Sequence, residues 1–252
     1  MQEFRMERLT GHKFRKGRFD KAILAVGSAE NHGDHLPFGT DTIVAYELAC
    51  KVAERVPGLL VLPPVTYGMS EHYAHFPLTI SLRAETVAAV IEDILRSLIT
   101  HGIKHIFILN GHDGNIAPIE IATRRVKVQF PQAKIAVLEA WWTTVGKLLA
   151  PGTFEVWDGL GHAGEGETSI MLALHPELVE MDHAKGRVPE SLPAEIQIKW
   201  LFYELTPYGV TGDPTAATAE KGYKMIEVLI DHIVKFIRDM DAKGWKLSLI
   251  HI

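Results

Sequence analysis

Four short apolar runs recur along the first part of the chain, KAILAVG at 21–27, LLVL at 59–62, HIFILN at 105–110 and KIAVL at 134–138. Each is too short for a buried helix, and glycine, proline or polar clusters bound them, so they read as buried strands. The stretches between them carry helical spacing instead. A polar loop over 28–40 leads into a helix that Asp41 or Thr42 can cap and that runs to about Val56. Residues 84–101 form an amphipathic helix ended by Gly102, and another helix follows Gly111-His112-Asp113-Gly114-Asn115 to about Phe130. The order β-loop-α-β-α-β-α-β requires an α/β fold with a mostly parallel central sheet and helices on both faces.

The last third is less regular. Residues 165–175 and 218–240 read as helices, and a proline-punctuated stretch over 189–214 separates them. No internal repeat, low-complexity tract or long linker divides the sequence, which predicts one domain over 1–252. Composition then narrows the function classes. The lone cysteine, Cys50, excludes an internal disulfide framework and fits a reducing, cytoplasmic setting. No run of about 18 apolar residues is present, so no membrane span is expected, and the polar, basic N-terminus has no apolar signal core. A net charge of -5 without a basic block gives no footprint for nucleic acid.

Histidine is the informative residue, and its placement matters more than its total of 13. Ligands in open α/β sheets bind beyond the carboxyl ends of the strands. The loop after the first strand holds Glu30, His32 and, at its turn into the helix, Asp41. The loop after the third strand sets His112 close to glycines on both sides, and Gly161-His162-Ala163-Gly164-Glu165-Gly166-Glu167 opens a later helix. Carboxylate plus imidazole suits zinc, manganese or iron(II). One histidine at a strand end more often serves structure, and acidic residues at helix starts usually complement the dipole. Three glycine-rich His/acid loops together point to a metal site, because glycine there costs backbone entropy that a solvated face would not require.

These loops resemble the creatininase (creatinine amidohydrolase) family. Residues 27–41 match its G-S-x-E-Q-H-G-x-H-L-P-x-x-T-D signature with Asn31 for Gln, and 111–115 match G-H-G-G-N with Asp113 for Gly. Residues 162–169 match H-A-G-E-x-E-T-S throughout, and 76–82 match F-P-G-T-x-S-L with Leu78 for Gly. The stretch over 212–222 is family-like as well. The resemblance implies a three-layer α/β sandwich, two divalent ions per chain and a homo-oligomer, commonly a hexamer. It places Glu30 and His112 on one metal and His32 on the other, with Asp41 bridging. Creatininase proper has a ligating Glu where this chain has Gly114. Glu165, three residues after His162 and able to share its helical face, is expected to supply the missing carboxylate, with Glu167 in a supporting role. His162 is expected to carry protons and not to bind metal.

The resulting expectation is a hydrolase that uses dinuclear-metal-activated water on a non-peptide C–N bond of a small molecule. Opening of a keto-inositol-type ring at a C–C bond and a non-catalytic metal-binding assembly protein are the alternatives. Loss of the creatininase Glu argues against creatinine itself. His72, Tyr73 and His75, with Tyr67 and Phe76, form the expected substrate wall, and Leu78 suggests a changed pocket. Trp200, Leu201, Phe202 and Tyr203 form an apolar cluster expected at an oligomer interface.

Overall fold

The computed structural model describes residues 3–188 and 199–246. Its sheet consists of β1 (Lys21–Val26), β2 (Leu59–Val61), β3 (His105–Asn110) and β4 (Lys134–Leu138), in the order β2-β1-β3-β4 and parallel throughout. The helices are α1 (Gly11–Lys16), α2 (Thr40–Arg55), α3 (Ala84–Thr100), α4 (Ile116–Gln129), α5 (Trp141–Leu148), α6 (Glu165–Leu174), α7 (Phe202–Leu205) and α8 (Ala219–Ala242). All four expected strands form, as do the five expected helices. Of the proline-punctuated stretch, 189–198 lies outside the described residues, and α7 is the short element after it.

Strand periodicity produces the layers. Along β1, Ile23 and Ala25 face one side while Ala22, Leu24 and Val26 face the other; Phe107 and Leu109 of β3 alternate likewise with Ile106 and Ile108. The first side packs on α2, α6 and α8, through residues such as Val44, Leu48, Ile170, Met225, Leu229 and Ile233. The second packs on α3 and α4, through Val87, Ile91, Leu95, Ile119, Ala122 and Val126. Apolar residues on both faces of a strand explain why β1 reads as a continuous apolar run. Gly102, at φ +91°, ends α3 in the left-handed conformation that glycine tolerates best.

The sheet reverses its direction of growth between β1 and β3, which is where a crevice opens in folds of this kind. The N-terminus of α2 fills the space just beyond both strands. A Cβ on Gly27 would stand 2.5 Å from Thr42 Cα, and one on Gly111 would stand 2.3 Å from the Asp41 carbonyl oxygen. Only glycine at each strand end allows the helix to sit this close. The helix begins at Thr40 after Gly39, and no side chain caps it. The expected cap, Asp41, is a residue of the first turn, and its carboxylate is turned to another use.

Substitution of Gly111 by Ala should therefore force apart α2 and β3 and lower stability by about 1–3 kcal/mol. Gly39→Ala is the control, because its Cβ would meet nothing nearer than Ile43 Cδ1 at 3.8 Å. Urea denaturation of both variants checks the difference; equal midpoints would count against a steric role for Gly111.

Candidate metal centre

Glu30, His32, Asp41 and His112 converge beyond the ends of β1 and β3, all of them buried. Asp41 lies at the middle. Its Oδ1 is 3.1 Å from His32 Nε2, and its Oδ2 is 3.3 Å from His112 Nδ1 and accepts from Ser28 Oγ at 2.6 Å. One carboxylate thus turns its two oxygens toward two different imidazoles. Glu30 Oε1 lies 3.2 Å from His112 Nδ1 and 3.6 Å from His162 Nδ1. Neither Glu30 oxygen accepts a hydrogen bond, although the side chain is wholly buried. A buried carboxylate without donors is expensive unless a cation satisfies it, so the residues fit a metal ion.

Backbone carbonyls orient the three imidazoles. A carbonyl only accepts, so the ring nitrogen facing it carries the proton. His32 Nδ1 donates to Glu30 O at 3.1 Å, His112 Nε2 to Met69 O at 3.0 Å and His162 Nε2 to Asn31 O at 2.7 Å. The second nitrogen of each ring is thereby aimed at the carboxylates.

The structure does not bring Glu165 to this cluster. The helical spacing of His162 and Glu165 fails because His162 is not helical: Gly161 and Ala163 have φ +110° and +52°, and α6 begins only at Glu165. Residues two apart near a helix start project in nearly opposite directions. Glu165 turns toward α8, where its Oε1 accepts from Lys221 Nζ at 2.6 Å. Glu167 turns to the site. Its Oε2 accepts from Ala163 N at 2.6 Å and lies 3.9 Å from His32 Nε2. Three groups among the described residues can hold an ion: Glu30, Asp41 and His112; His32, Asp41 and Glu167; and Glu30, His32 and His162. No side chain fits at position 114, where a Cβ would meet Met69 O at 2.0 Å and His112 Nε2 at 2.6 Å.

Mutual charge holds the cluster together. Burial acts to raise Asp41 and Glu30, but the positive charge of His32, with its hydrogen bond, keeps the Asp41 carboxyl below the usual range, and the positive charge of His112 does the same for Glu30. Burial acts to lower His32, yet the Asp41 charge and hydrogen bond, then Glu167 and Glu30, push it up to about 9. His112 is raised well above its ordinary value against burial, chiefly by Glu30 and Asp41. Glu167 is pushed up to about 7 by burial against the pull of His32, with Asp41 and Glu30 adding to the rise. His162 is pushed down to about 3, first by burial and then by His32.

The cluster forms the floor of a cavity of about 1020 Å³, with His72, Tyr73, Trp142, Trp157 and Phe202 among its walls. Of the expected substrate wall, His72 and Tyr73 are there, the His72 ring stacked 5.8 Å from His112 and the Tyr73 ring 4.4 Å from His162. His75 is not; it is exposed and packs on Tyr203 with ring centres 4.6 Å apart. Leu78 also lies outside the wall and is 68% exposed. Trp200, Leu201 and Phe202 fold over the cavity, where Phe202 stacks 3.9 Å from Tyr73, while Tyr203 is exposed. Ser28 and Met69, which orient Asp41 and His112, carry no signal as ligands in the sequence, because one acts through a hydroxyl hydrogen bond and the other through its backbone.

The creatininase family profile, described as creatinine amidohydrolase, matches residues 7–237. A creatinine amidohydrolase from Pseudomonas putida is 31% identical over 86% of this chain and 88% of its own length. A mycofactocin precursor peptide peptidase from Mycobacterium ulcerans is 32% identical over 85% and 83%, and a 3-dehydro-scyllo-inosose hydrolase from Thermotoga maritima 30% over 93% and 85%. A crystal structure of creatininase superposes with a TM-score of 0.83 at 28% identity, covering 98% of this chain and all of that one. Solved creatininases that superpose with TM-scores of 0.79 and 0.78 are a manganese form and a Zn-Zn type.

In chelator-treated protein, where protons alone balance the carboxylates, the sign of the pH dependence follows from His32. A folded value of about 9 against an ordinary 6.5 gives stability that is complete below about 6.5 and lost as pH rises through about 9. The midpoint of thermal unfolding should fall between those limits and fall less in His32→Asn. A midpoint that rises over the interval in the unsubstituted protein would contradict the pairing.

Proposed function

The chain belongs to the creatininase family of hydrolases, and we propose that it hydrolyses a non-peptide amide-type C–N bond of a small molecule with two divalent cations per chain. The observation that carries this reading is Asp41, whose two oxygens face His32 and His112 separately while Glu30 lies beside them without a donor. Glu30 and His112 would hold one ion, His32 and Glu167 the other, and Asp41 both. Zinc, manganese and iron(II) suit this oxygen-rich set. Such ions supply Lewis acidity that acidifies water and polarises a carbonyl.

The chain's own residues account for binding and proton movement. The cavity walls include the aromatic rings of Tyr73, Trp142, Trp157, Trp200 and Phe202, which suit a flat or ring-shaped substrate held over the cluster. Burial keeps His162 neutral near pH 7, and its Nε2 is tied to Asn31 O, so Nδ1 is the atom that takes a proton and returns it to a leaving nitrogen. Arg83, the basic residue near the middle motif, is outside the cavity wall, which includes Lys199. The family resemblance further supports a homo-oligomer.

Four measurements test these readings. Metal analysis after dialysis and reconstitution with manganese or zinc should return two ions per chain; Glu167→Gln should lose one, and a single ion in the unsubstituted protein would overturn the dinuclear reading. In a screen of small linear and cyclic amides, ring ketones and short peptides, turnover is expected on an amide. His162→Asn should then keep both ions and lower kcat by about 10²–10⁴, whereas loss of an ion would make His162 a ligand. Light scattering should give a mass above the 28.0 kDa of one chain.

A further inference from the structure

Glu165 is fully buried, yet it stands outside the cluster and its carboxylate is fully engaged. Oε1 accepts from Glu155 N at 3.0 Å and Lys221 Nζ at 2.6 Å; Oε2 accepts from Glu155 N at 3.0 Å and Val156 N at 2.9 Å. Lys221, in the first turn of α8, also donates to Ala216 O at 2.8 Å and Glu155 Oε1 at 3.2 Å. The charge of the pair is thus directed at the backbone of one segment, residues 153–160, which connects α5 to α6.

That segment needs restraint. Trp157, Asp158 and Gly159 have φ +53°, +53° and +76°, three left-handed residues in succession of which two are not glycine. Such backbone persists only where the surroundings over-determine it. Thr153, Gly159 and Leu160 donate to Ala150, Val156 and Trp157, which are bonds local to the segment. Among the described residues, its hydrogen bonds to the rest of the fold end on Glu165 and Lys221. Packing supplements them: the Phe154 ring covers Gly159, and Gly166 of α6 leaves room for the Gly159 carbonyl, which a Cβ would meet at 2.4 Å. The segment brings Trp157 and Leu160 into the cavity wall and then runs directly into His162.

We infer that Glu165 and Lys221 are positioning residues, a buried brace that fixes segment 153–160 so that Trp157 and Leu160 form one wall of the cavity. The brace governs how tightly substrate is held and leaves the metal ligands unchanged. The link to substrate rests on the cavity being the catalytic site proposed above; the brace itself does not.

Hydrogen exchange of the manganese-loaded protein separates the two. In Glu165→Gln and in Lys221→Met, the amides of Glu155 and Val156 should exchange about tenfold faster, as expected for loss of a charge-assisted hydrogen bond. Lys221→Arg should restore most of the protection. Manganese content should match that of the unsubstituted protein in all three, and the Trp157 contribution to emission, found by difference from Trp157→Phe, should become more accessible to acrylamide. With an amide from the screen, KM should rise several-fold more than kcat falls. Unchanged exchange in Lys221→Met would overturn the brace, and so would loss of one ion in Glu165→Gln, which would make Glu165 a ligand. Should Glu165→Gln fail to fold, Lys221→Met and its Arg rescue decide the matter. Unsubstituted protein that binds no manganese would refute the metallohydrolase reading and leave the exchange result standing.

Discussion

A buried carboxylate shared between two imidazoles is the constraint on which the site depends. Asp41 is only 3% exposed, and burying a charge is tolerable only when it is paired and hydrogen-bonded on every side. Its position is set by the backbone of α2, which must approach β1 and β3 more closely than any side chain would allow. Gly27 and Gly111 meet that requirement, and Ser28 then holds Oδ2 from the adjacent loop. The glycines of the two loops therefore serve helix packing as much as loop flexibility. Fold and site are joined at this point, because a change that moves α2 moves the carboxylate whose two oxygens face His32 and His112.

Most of this was legible in the sequence. The strands are continuous apolar runs because both faces of the sheet are covered, and the ligand loops follow strands at the switch point of the sheet. Glu30, His32, Asp41 and His112 were readable because a strand end and a loop of fixed length place them with little freedom. Glu167 was not. Whether Glu165 or Glu167 enters the site depends on where α6 begins, and that depends on the left-handed conformations of Gly161 and Ala163. Alanine gives no sequence signal for positive φ, so the sequence suggests a helical face shared by His162 and Glu165 that the start of α6 at Glu165 does not provide. His75 has a similar explanation, since neighbours in a loop need not share a side.

The hydrogen bonds that orient the imidazoles were invisible for another reason. Glu30, Asn31 and Met69 accept through backbone oxygens, which every residue possesses. Two of those carbonyls belong to the ligand loop itself, so Glu30 contributes a carboxylate to the cluster and a carbonyl to His32. The third belongs to the segment that closes over position 114. Met69 O occupies the space that a Cβ there would require, so the group orienting His112 also excludes a carboxylate at 114. Glu167, approaching from α6, supplies a carboxylate from the side that remains open.

Leu78 shows how such a loop is held. The family-like motif has glycine at this position, and here leucine adopts φ +58° while exposing most of its side chain. It gains little from burial to offset about 1–2 kcal/mol for the left-handed conformation. The compensation lies in its neighbours. Thr79 Oγ1 accepts from Asn31 N at 3.1 Å, and Ile80 N donates to Ala29 O at 2.9 Å, forming an antiparallel bridge. Asn31 in turn binds Gly33 N through its side chain and His162 through its carbonyl. The strained turn thus clamps the stretch that carries Glu30 and His32 and, through Asn31, fixes the ring of His162. Leucine at 78 keeps the turn that glycine would form more easily, because the hydrogen bonds on either side of it belong to the ligand loop and constrain the backbone more strongly than the side chain opposes it.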